Sequence, residues 1–187
     1  MAEAPSPRRR DSAASRDRLL AAASELFADR GYDQATSRDI GIRAEVDPTM
    51  IARYFGGKAQ LFIAVLRSEE DSEQPLDVLV PERLQSLIER TGKRGPGPVL
   101  QAALKPYDNA EAQDAALTEL DYRVLAPLRE RFAREGTDQP ELRADVLAAA
   151  VIGVILGRHA GTFDRLSKAS TEQLLTVLQD FLGIEAR

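Results

Sequence analysis

Apolar residues recur at helical spacing along most of the chain, and no strand-like alternation interrupts them beyond residue 75, so the pattern predicts an all-α fold. Leu19, Leu20, Ala23, Leu26 and Phe27 share one face of a first helix over about 15–30, with Gly31 as its stop. Two short helices follow within 36–55. Leu61, Phe62, Val65 and Leu66 mark a fourth helix starting near Lys58. The polar, acidic run at 68–75 then breaks the pattern and predicts a hinge or domain boundary. Leu84, Leu87 and Ile88 mark a fifth helix, ended by the Gly- and Pro-rich stretch at 92–98. Val99, Leu100, Ala103 and Leu104 mark a short sixth, stopped at Pro106. A long seventh is expected over 109–135, bent or broken by Pro127. Pro140 opens an eighth reaching about 163, and Ser170 or Thr171 caps a ninth ending near Gly183. The chain thus divides into a flexible arm at 1–14, a helical unit at 15–67 and a second helical unit at 75–187.

The eighth helix is unusual because it lacks a polar side. The longest uncharged run, Val146 to Gly157, lies between Asp145 and Arg158. A helix apolar all round must be covered all round, and a protomer of this size has little with which to do so. Gly153 and Gly157, four apart, would let another helix approach closely. The run is too short for a membrane span, which needs about 20 apolar residues.

Residues 36–58 are punctuated as a helix-turn-helix. Thr36 can cap the first helix, with Asp39 three residues on returning a hydrogen bond. Ile40 and Ala44 share a face, and Glu45-Val46 make the turn. Asp47 caps the second helix, with Pro48 at its first position, where a missing N–H costs nothing. Met50, Ile51, Tyr54 and Phe55 recur at helical spacing, and Gly56-Gly57 offer a left-handed stop. A helix of about 8 residues is roughly 12 Å long, which suits the DNA major groove.

Charge fits that reading once it is split. The chain carries a net −5, but through Arg67 there are 11 Lys/Arg against 9 Asp/Glu, and beyond it 14 against 21. The positive excess lies on the helix-turn-helix portion, and the acidic remainder would be repelled by phosphate. With no Cys and a single His, His159, disulfides, thiolate or His-rich metal sites and a cysteine nucleophile are excluded. No phosphate loop, HExxH pattern or nucleophile elbow is present, so neither catalytic residues nor a cofactor are expected. The basic triplet Arg8-Arg9-Arg10 is followed by Asp11, Asp17 and Glu25 rather than an apolar core, which argues against a signal peptide. The expected location is the cytoplasm.

From about Ser15 to Leu66, roughly a third of the chain, the sequence resembles the N-terminal domain of the tetracycline-repressor (TetR) family of bacterial transcription regulators. The resemblance lies in Leu-Phe-Ala-Asp-Arg-Gly-Tyr at 26–32, Thr-Ser-Arg-Asp-Ile at 36–40, and Arg-Tyr-Phe-Gly-Gly-Lys at 53–58 followed by Leu61-Phe62. Three positions depart from the family pattern. Gly41 stands where Ala is common, at a helix-propensity cost of about 1 kcal/mol. Glu45 replaces a turn glycine and implies positive φ at a non-Gly residue. Ala52 replaces a Tyr that often touches the DNA backbone. The resemblance implies an N-terminal three-helix DNA-binding domain and a C-terminal helical domain for dimerisation and ligand binding. It implies a regulator, read here as a repressor, that an effector releases from an inverted-repeat operator on double-stranded DNA. The alternative is a helical effector- or partner-binding protein that no longer uses DNA, favoured by Ala52 and Glu45.

By the same resemblance Tyr54 and Lys58 grip phosphates, and Thr36 or Ser37 adds to the clamp through the helix N-terminus. Thr49, Met50 and Arg53 could reach base edges, Arg suiting guanine and Thr or Met a thymine methyl. Arg38 and Arg43 flank the first helix of the motif, and Arg8–Arg10 could enter the minor groove. Each has a plainer reading as cap, core or solvated charge. In the family the last two helices pair with those of a second subunit, which would place Val151, Ile152, Val154, Ile155, Leu174, Leu178 and Phe181 in a homodimer interface. A largely apolar small-molecule effector would then lie among Leu87, Leu104, Tyr122, Leu125, Ile155 and His159. His159, beside Arg158 at a helix end, equally suits the helix macrodipole.

Overall fold

The computed structural model describes residues 7–70 and 77–183, with side chains over 11–68 and 77–183. Residues 1–6, and the Arg8–Arg10 side chains of the expected arm, lie outside that description. All the regular structure described is helical. Two compact units divide it: 7–70 with Tyr107–Ala115, and 77–106 with 116–183.

The first unit is built on α1 (Pro7–Gln34), α2 (Ser37–Ala44), α3 (Thr49–Phe55) and α4 (Lys58–Glu70). Helix α1 starts earlier than expected, so 7–14 is helical rather than an unstructured arm. Gly31 (φ 76°, ψ 175°) interrupts it where the sequence places a stop, in a conformation that only glycine adopts without strain. Leu19, Ala23 and Phe27 of α1 pack with Leu61, Phe62 and Val65 of α4, all essentially inaccessible to solvent. The core is finished from far along the chain. Tyr107 is buried, its ring 5.5 Å from that of Tyr32 and 5.8 Å from that of Phe62. Ala112 is wholly buried, and the Asp108 amide donates to the Asp33 carboxylate at 3.3 Å.

The second unit holds α5 (Pro81–Arg94), α6 (Gly97–Leu104), the end of α7 (Ala110–Leu120), α8 (Ala126–Arg134), α9 (Pro140–His159), α10 (Asp164–Lys168) and α11 (Thr171–Leu182). The long helix expected over 109–135 is broken into α7 and α8 by a π-helical turn, Asp121–Leu125. Pro127 lies in the first turn of α8. Because proline lacks an N–H and its ring clashes with the preceding turn, the ladder widens upstream, and the Ala126 amide bonds back to the Asp121 carbonyl. The turn carries a feature that periodicity did not reveal: Arg123 pairs with Glu119 although both are buried. Helix α9 ends at His159 rather than near 163, and α10 is an additional element. Ser170, not Thr171, caps α11, its Oγ accepting from the Gln173 amide at 3.1 Å while Gln173 Oε1 accepts from the Ser170 amide at 2.9 Å.

Within a protomer α9 does have two sides. Ala144, Leu147, Ala148, Val151, Ile152 and Ile155 are buried. Leu142, Val146, Ala149 and Ala150 are exposed, with Gly153 and Val154 partly so. In α11, Leu174 and Leu178 turn inward, whereas Val177 and Phe181 are 50% and 85% exposed. The residues expected at an interface fall into two groups within the protomer. Val151, Ile152, Ile155, Leu174 and Leu178 are already used in the protomer's own core; Val154 and Phe181 remain open, joined by Val146 and Val177. Composition marks α9 as apolar all round, but the turns of α5, α6 and α8 that cover one side are set by tertiary packing.

Candidate nucleic-acid interface

The start of α2 is fixed by a capping box. Thr36 is extended (φ −83°, ψ 154°), and its Oγ1 accepts from the Asp39 amide at 3.1 Å. Thr36 Oγ1 and its own amide donate to Asp39 Oδ2 at 2.6 and 3.3 Å. Those bonds, the side-chain one foremost, hold the Asp39 carboxyl below its ordinary value. Ser37 is half-buried and Arg38 exposed in the first turn that follows.

Helix α2 ends on Glu45 in the left-handed region (φ 53°, ψ 43°), as the missing turn glycine implies. The Glu45 and Val46 amides return to the Ile42 and Gly41 carbonyls at 3.2 and 3.0 Å. Gly41 has a reason the sequence does not disclose: the turn and Pro48 fold over it with no room for a β-carbon. Asp47 then organises the start of α3, its Oδ1 accepting from the Thr49 amide at 2.8 Å and from the Thr49 hydroxyl at 2.7 Å. Both bonds lower the Asp47 pKa.

Ile51, 2% exposed, pins α3 to the core. On the other side Thr49, Ala52 and Arg53 are exposed, and Met50 and Tyr54 are half-buried. Thr49 and Arg53 are four apart and so share one outward ridge. Gly56 (φ 91°) ends the helix, its amide bonded to the Ala52 carbonyl at 2.9 Å. The early turns of α1 also reach this surface. Ser12 Oγ donates to the Tyr54 hydroxyl at 3.3 Å, and the Arg16 guanidinium lies 4.8 Å from the Phe55 ring centre. Neither contact could be read from spacing, because both join residues distant in sequence.

Two expected cations are placed differently. Arg43 is bound to Glu25, one bond measuring 2.9 Å, rather than free beside the motif. Lys58 turns inward: its Nζ lies 4.1 Å from the Tyr32 ring centre and 3.5 Å from the Asp33 carbonyl oxygen. Burial lowers its pKa, opposed by Asp33.

In the second unit a groove is present that none of the six expected effector-pocket residues lines. Leu87 and Ile155 are in the core, Leu104 and Tyr122 are 57% and 60% exposed, Leu125 is intermediate, and His159 is exposed. The groove, of about 1040 Å³, runs instead between the start of α5, the ends of α8 and α11, and the first half of α9. Leu142, Val146 and Phe181 are among its apolar lining, with Arg131 and Arg143 among the charged residues. Arg131 is committed to Asp77 and Glu135, each at 2.9 Å. Among the described residues no helix is long and apolar enough to cross a membrane, and no group of three His, Cys, Asp or Glu could hold a metal ion.

A helix-turn-helix on a three-helix core, followed by a helical unit with an open apolar face, defines the class to which the matches point. Residues 19–65 match the model of the bacterial regulatory proteins, tetR family, and residues 77–182 match that of the tetracyclin repressor-like C-terminal domain. The chain belongs to the TetR family. It is 42% identical over 134 residues to the HTH-type transcriptional activator FasR of Mycolicibacterium smegmatis, covering 72% of this chain and 52% of that protein. It is 34% identical over 95 residues to the HTH-type transcriptional repressor Rv3405c of Mycobacterium tuberculosis, covering 51% of this chain and 50% of that one. The chain thus spans about half the length of these curated relatives. Among solved structures, reduced NemR of E. coli matches with a TM-score of 0.61 at 21% identity, over 89% of this chain and 96% of that one. The fatty acid degradation regulator FadR of Bacillus halodurans matches at 0.59 and 18%, over 91% and 99%.

Proposed function

We propose that the protein is a homodimeric, operator-binding transcriptional regulator acting in the cytoplasm. The observation that carries this reading is the presentation of α3. It is anchored by Ile51 and by the close Gly41–Pro48 turn, with Thr49, Ala52 and Arg53 turned outward. In this reading α3 enters the major groove, Arg53 reads a base edge, and Thr49 and Met50 make apolar contact with thymine methyls. Thr36, Ser37 and Tyr54 meet phosphates, with Arg38 beside them. The open α9–α11 face, with Val146, Val154, Val177 and Phe181, is covered by a second copy. The two-fold so formed demands an inverted-repeat operator. A small molecule that prefers the conformation whose head spacing mismatches the operator releases the DNA. The solved complex of Bacillus subtilis FadR with stearoyl-CoA, a fold match at a TM-score of 0.52, supports only the idea that such a fold holds a ligand.

Repression is the reading we adopt; activation is favoured by the relative named as an activator. Selection of genomic fragments with the purified protein tests the whole proposal. An enriched inverted repeat overlapping a promoter fits repression, and one upstream of it fits activation. Equal recovery of all fragments would leave the alternative, a helical effector- or partner-binding protein without DNA.

A further inference from the structure

The apolar stripe that Leu19, Ala23 and Phe27 carry along α1 continues toward its start as Arg16 and Ser12, at the same three- and four-residue spacing. There it leaves the core and meets the end of α3. Ser12 Oγ donates to the Tyr54 hydroxyl at 3.3 Å, and the Arg16 guanidinium lies over the Phe55 ring, 4.8 Å from its centre. Both α1 side chains remain exposed. A phenol oxygen that accepts one hydrogen bond keeps its own proton to donate elsewhere, so Ser12 leaves the Tyr54 O–H free to point outward. A guanidinium stacked on a ring keeps its N–H groups at its edge, where a phosphate can take two of them at once. The stack also holds a long side chain in place before any partner arrives, which lowers the ordering cost of binding. Among the described residues no ion pair holds Arg16, whereas Arg43 is bound to Glu25. The neighbouring surface of α3 offers nothing comparable, since Ala52, three residues before Phe55, exposes only a methyl.

We infer that the second and third turns of α1 form a further part of the DNA interface. Arg16 binds a backbone phosphate from its seat on Phe55, and Ser12 is the positioning residue that presents the Tyr54 O–H to a phosphate. The inference rests on the DNA-binding reading and adds to it two residues that the helix-turn-helix pattern does not contain. Tyr54 and Phe55, adjacent on α3, become the joint platform through which α1 reaches the duplex.

Because each neutralised phosphate adds about 0.9 to the slope of log affinity against log salt on B-form DNA, the Arg16 contact can be counted. The probe is a fluorescein-labelled random-sequence duplex, titrated by anisotropy with the full-length protein at several salt concentrations. Arg16→Ala is expected to flatten the slope by about 0.9 per reading unit, and Arg16→Lys, which keeps the charge, to restore it. Arg18 is the control. It is exposed but lies about 200° further around the helix, so Arg18→Ala should leave the slope as in wild type. Ser12→Ala changes no charge, so it should keep the slope and weaken binding about two- to tenfold. That loss should disappear in a Tyr54→Phe background, where the hydroxyl it positions is gone. Ser12, Arg16 and Arg18 are all exposed, so their variants keep the fold, as circular dichroism will check. The inference is overturned if Arg16→Ala keeps the wild-type slope, or if Arg18→Ala flattens it as much. It is also overturned if Ser12→Ala costs as much in the Tyr54→Phe background as in wild type. A wild type that binds no duplex even at low salt would overturn the DNA-binding reading itself, and this inference with it.

Discussion

A β-carbon on Gly41 would sit 2.6 Å from Pro48 Cγ and 2.8 Å from the Val46 carbonyl oxygen. The residue that weakens α2 by propensity is therefore the one that lets α3 lie close against it. Gly41→Ala gains about 1 kcal/mol of helix propensity but meets a proline ring and a backbone oxygen, neither of which yields readily. Overpacking of this kind costs about 1–3 kcal/mol. The expected result is a net loss of stability in urea unfolding and weakened DNA binding.

Glu45 poses the opposite case. It holds a left-handed conformation (φ 53°) that disfavours a residue with a β-carbon by about 1–2 kcal/mol. Glu45→Gly relieves that strain at the expense of a freer unfolded chain. It should leave stability unchanged or raise it by up to about 1 kcal/mol, read by the same unfolding assay.

If a second copy covers the open face, as proposed, substitutions there separate folding from association. Phe181 and Val146 are 85% and 61% exposed in the protomer, whereas Ile152 is 4% exposed. Phe181→Glu and Val146→Glu should yield folded monomers by light scattering and circular dichroism. Ile152→Glu should lose the fold, since it buries an unpaired charge. Gly153 sharpens the contrast, because a β-carbon there meets nothing within 4 Å in the protomer. Gly153→Leu should spare the helix content and weaken only the dimer.

The Thr36–Asp39 box makes the start of α2 sensitive to acid. Hydrogen bonds from Thr36 depress the folded-state pKa of Asp39 below 3.8. A depressed carboxyl contributes stability that is present above its unfolded value and lost as pH falls through the folded one. Carbon-detected NMR titration should therefore find Asp39 below 3.8, and Thr36→Val should move it upward. The stability difference between the two proteins should shrink in strong acid but not vanish, because Thr36 Oγ1 also accepts from the Asp39 amide.

Arg53 and Arg43 should differ in kind. Arg53→Ala is expected to relax preference at one base pair per half-site, worth about 1–3 kcal/mol if it grips a guanine. Arg43→Ala removes an exposed pair with Glu25 and should change stability by less than about 1 kcal/mol. Binding to a set of single-base operator variants distinguishes them.

The helix ends were legible because they are local. Thr36, Asp47 and Ser170 act on residues two or three places away, Gly31 acts through its own backbone conformation, and the strain at Glu45 follows from a side chain where a glycine is usual. What lay beyond the sequence was non-local. The side of α9 that stays open depends on which helices cover the other, and Val151 and Val154 are chemically alike. The inward turn of Lys58 depends on Tyr32, Asp33 and the segment that flanks them. The buried Glu119–Arg123 pair has ordinary four-residue spacing, and only the π turn and its surroundings make it an interior contact.

The return of residues 107–115 to the first unit bears on how such proteins exchange parts. A reading head transplanted as 1–67 would carry an opening where Tyr107 and Ala112 belong, with Tyr32 and Phe62 laid bare beside it. A recombinant that keeps its own segment beneath a borrowed head must match ring for ring across that join. A single-crossover chimera of this chain should therefore be insoluble unless residues 107–115 are brought along with the first unit.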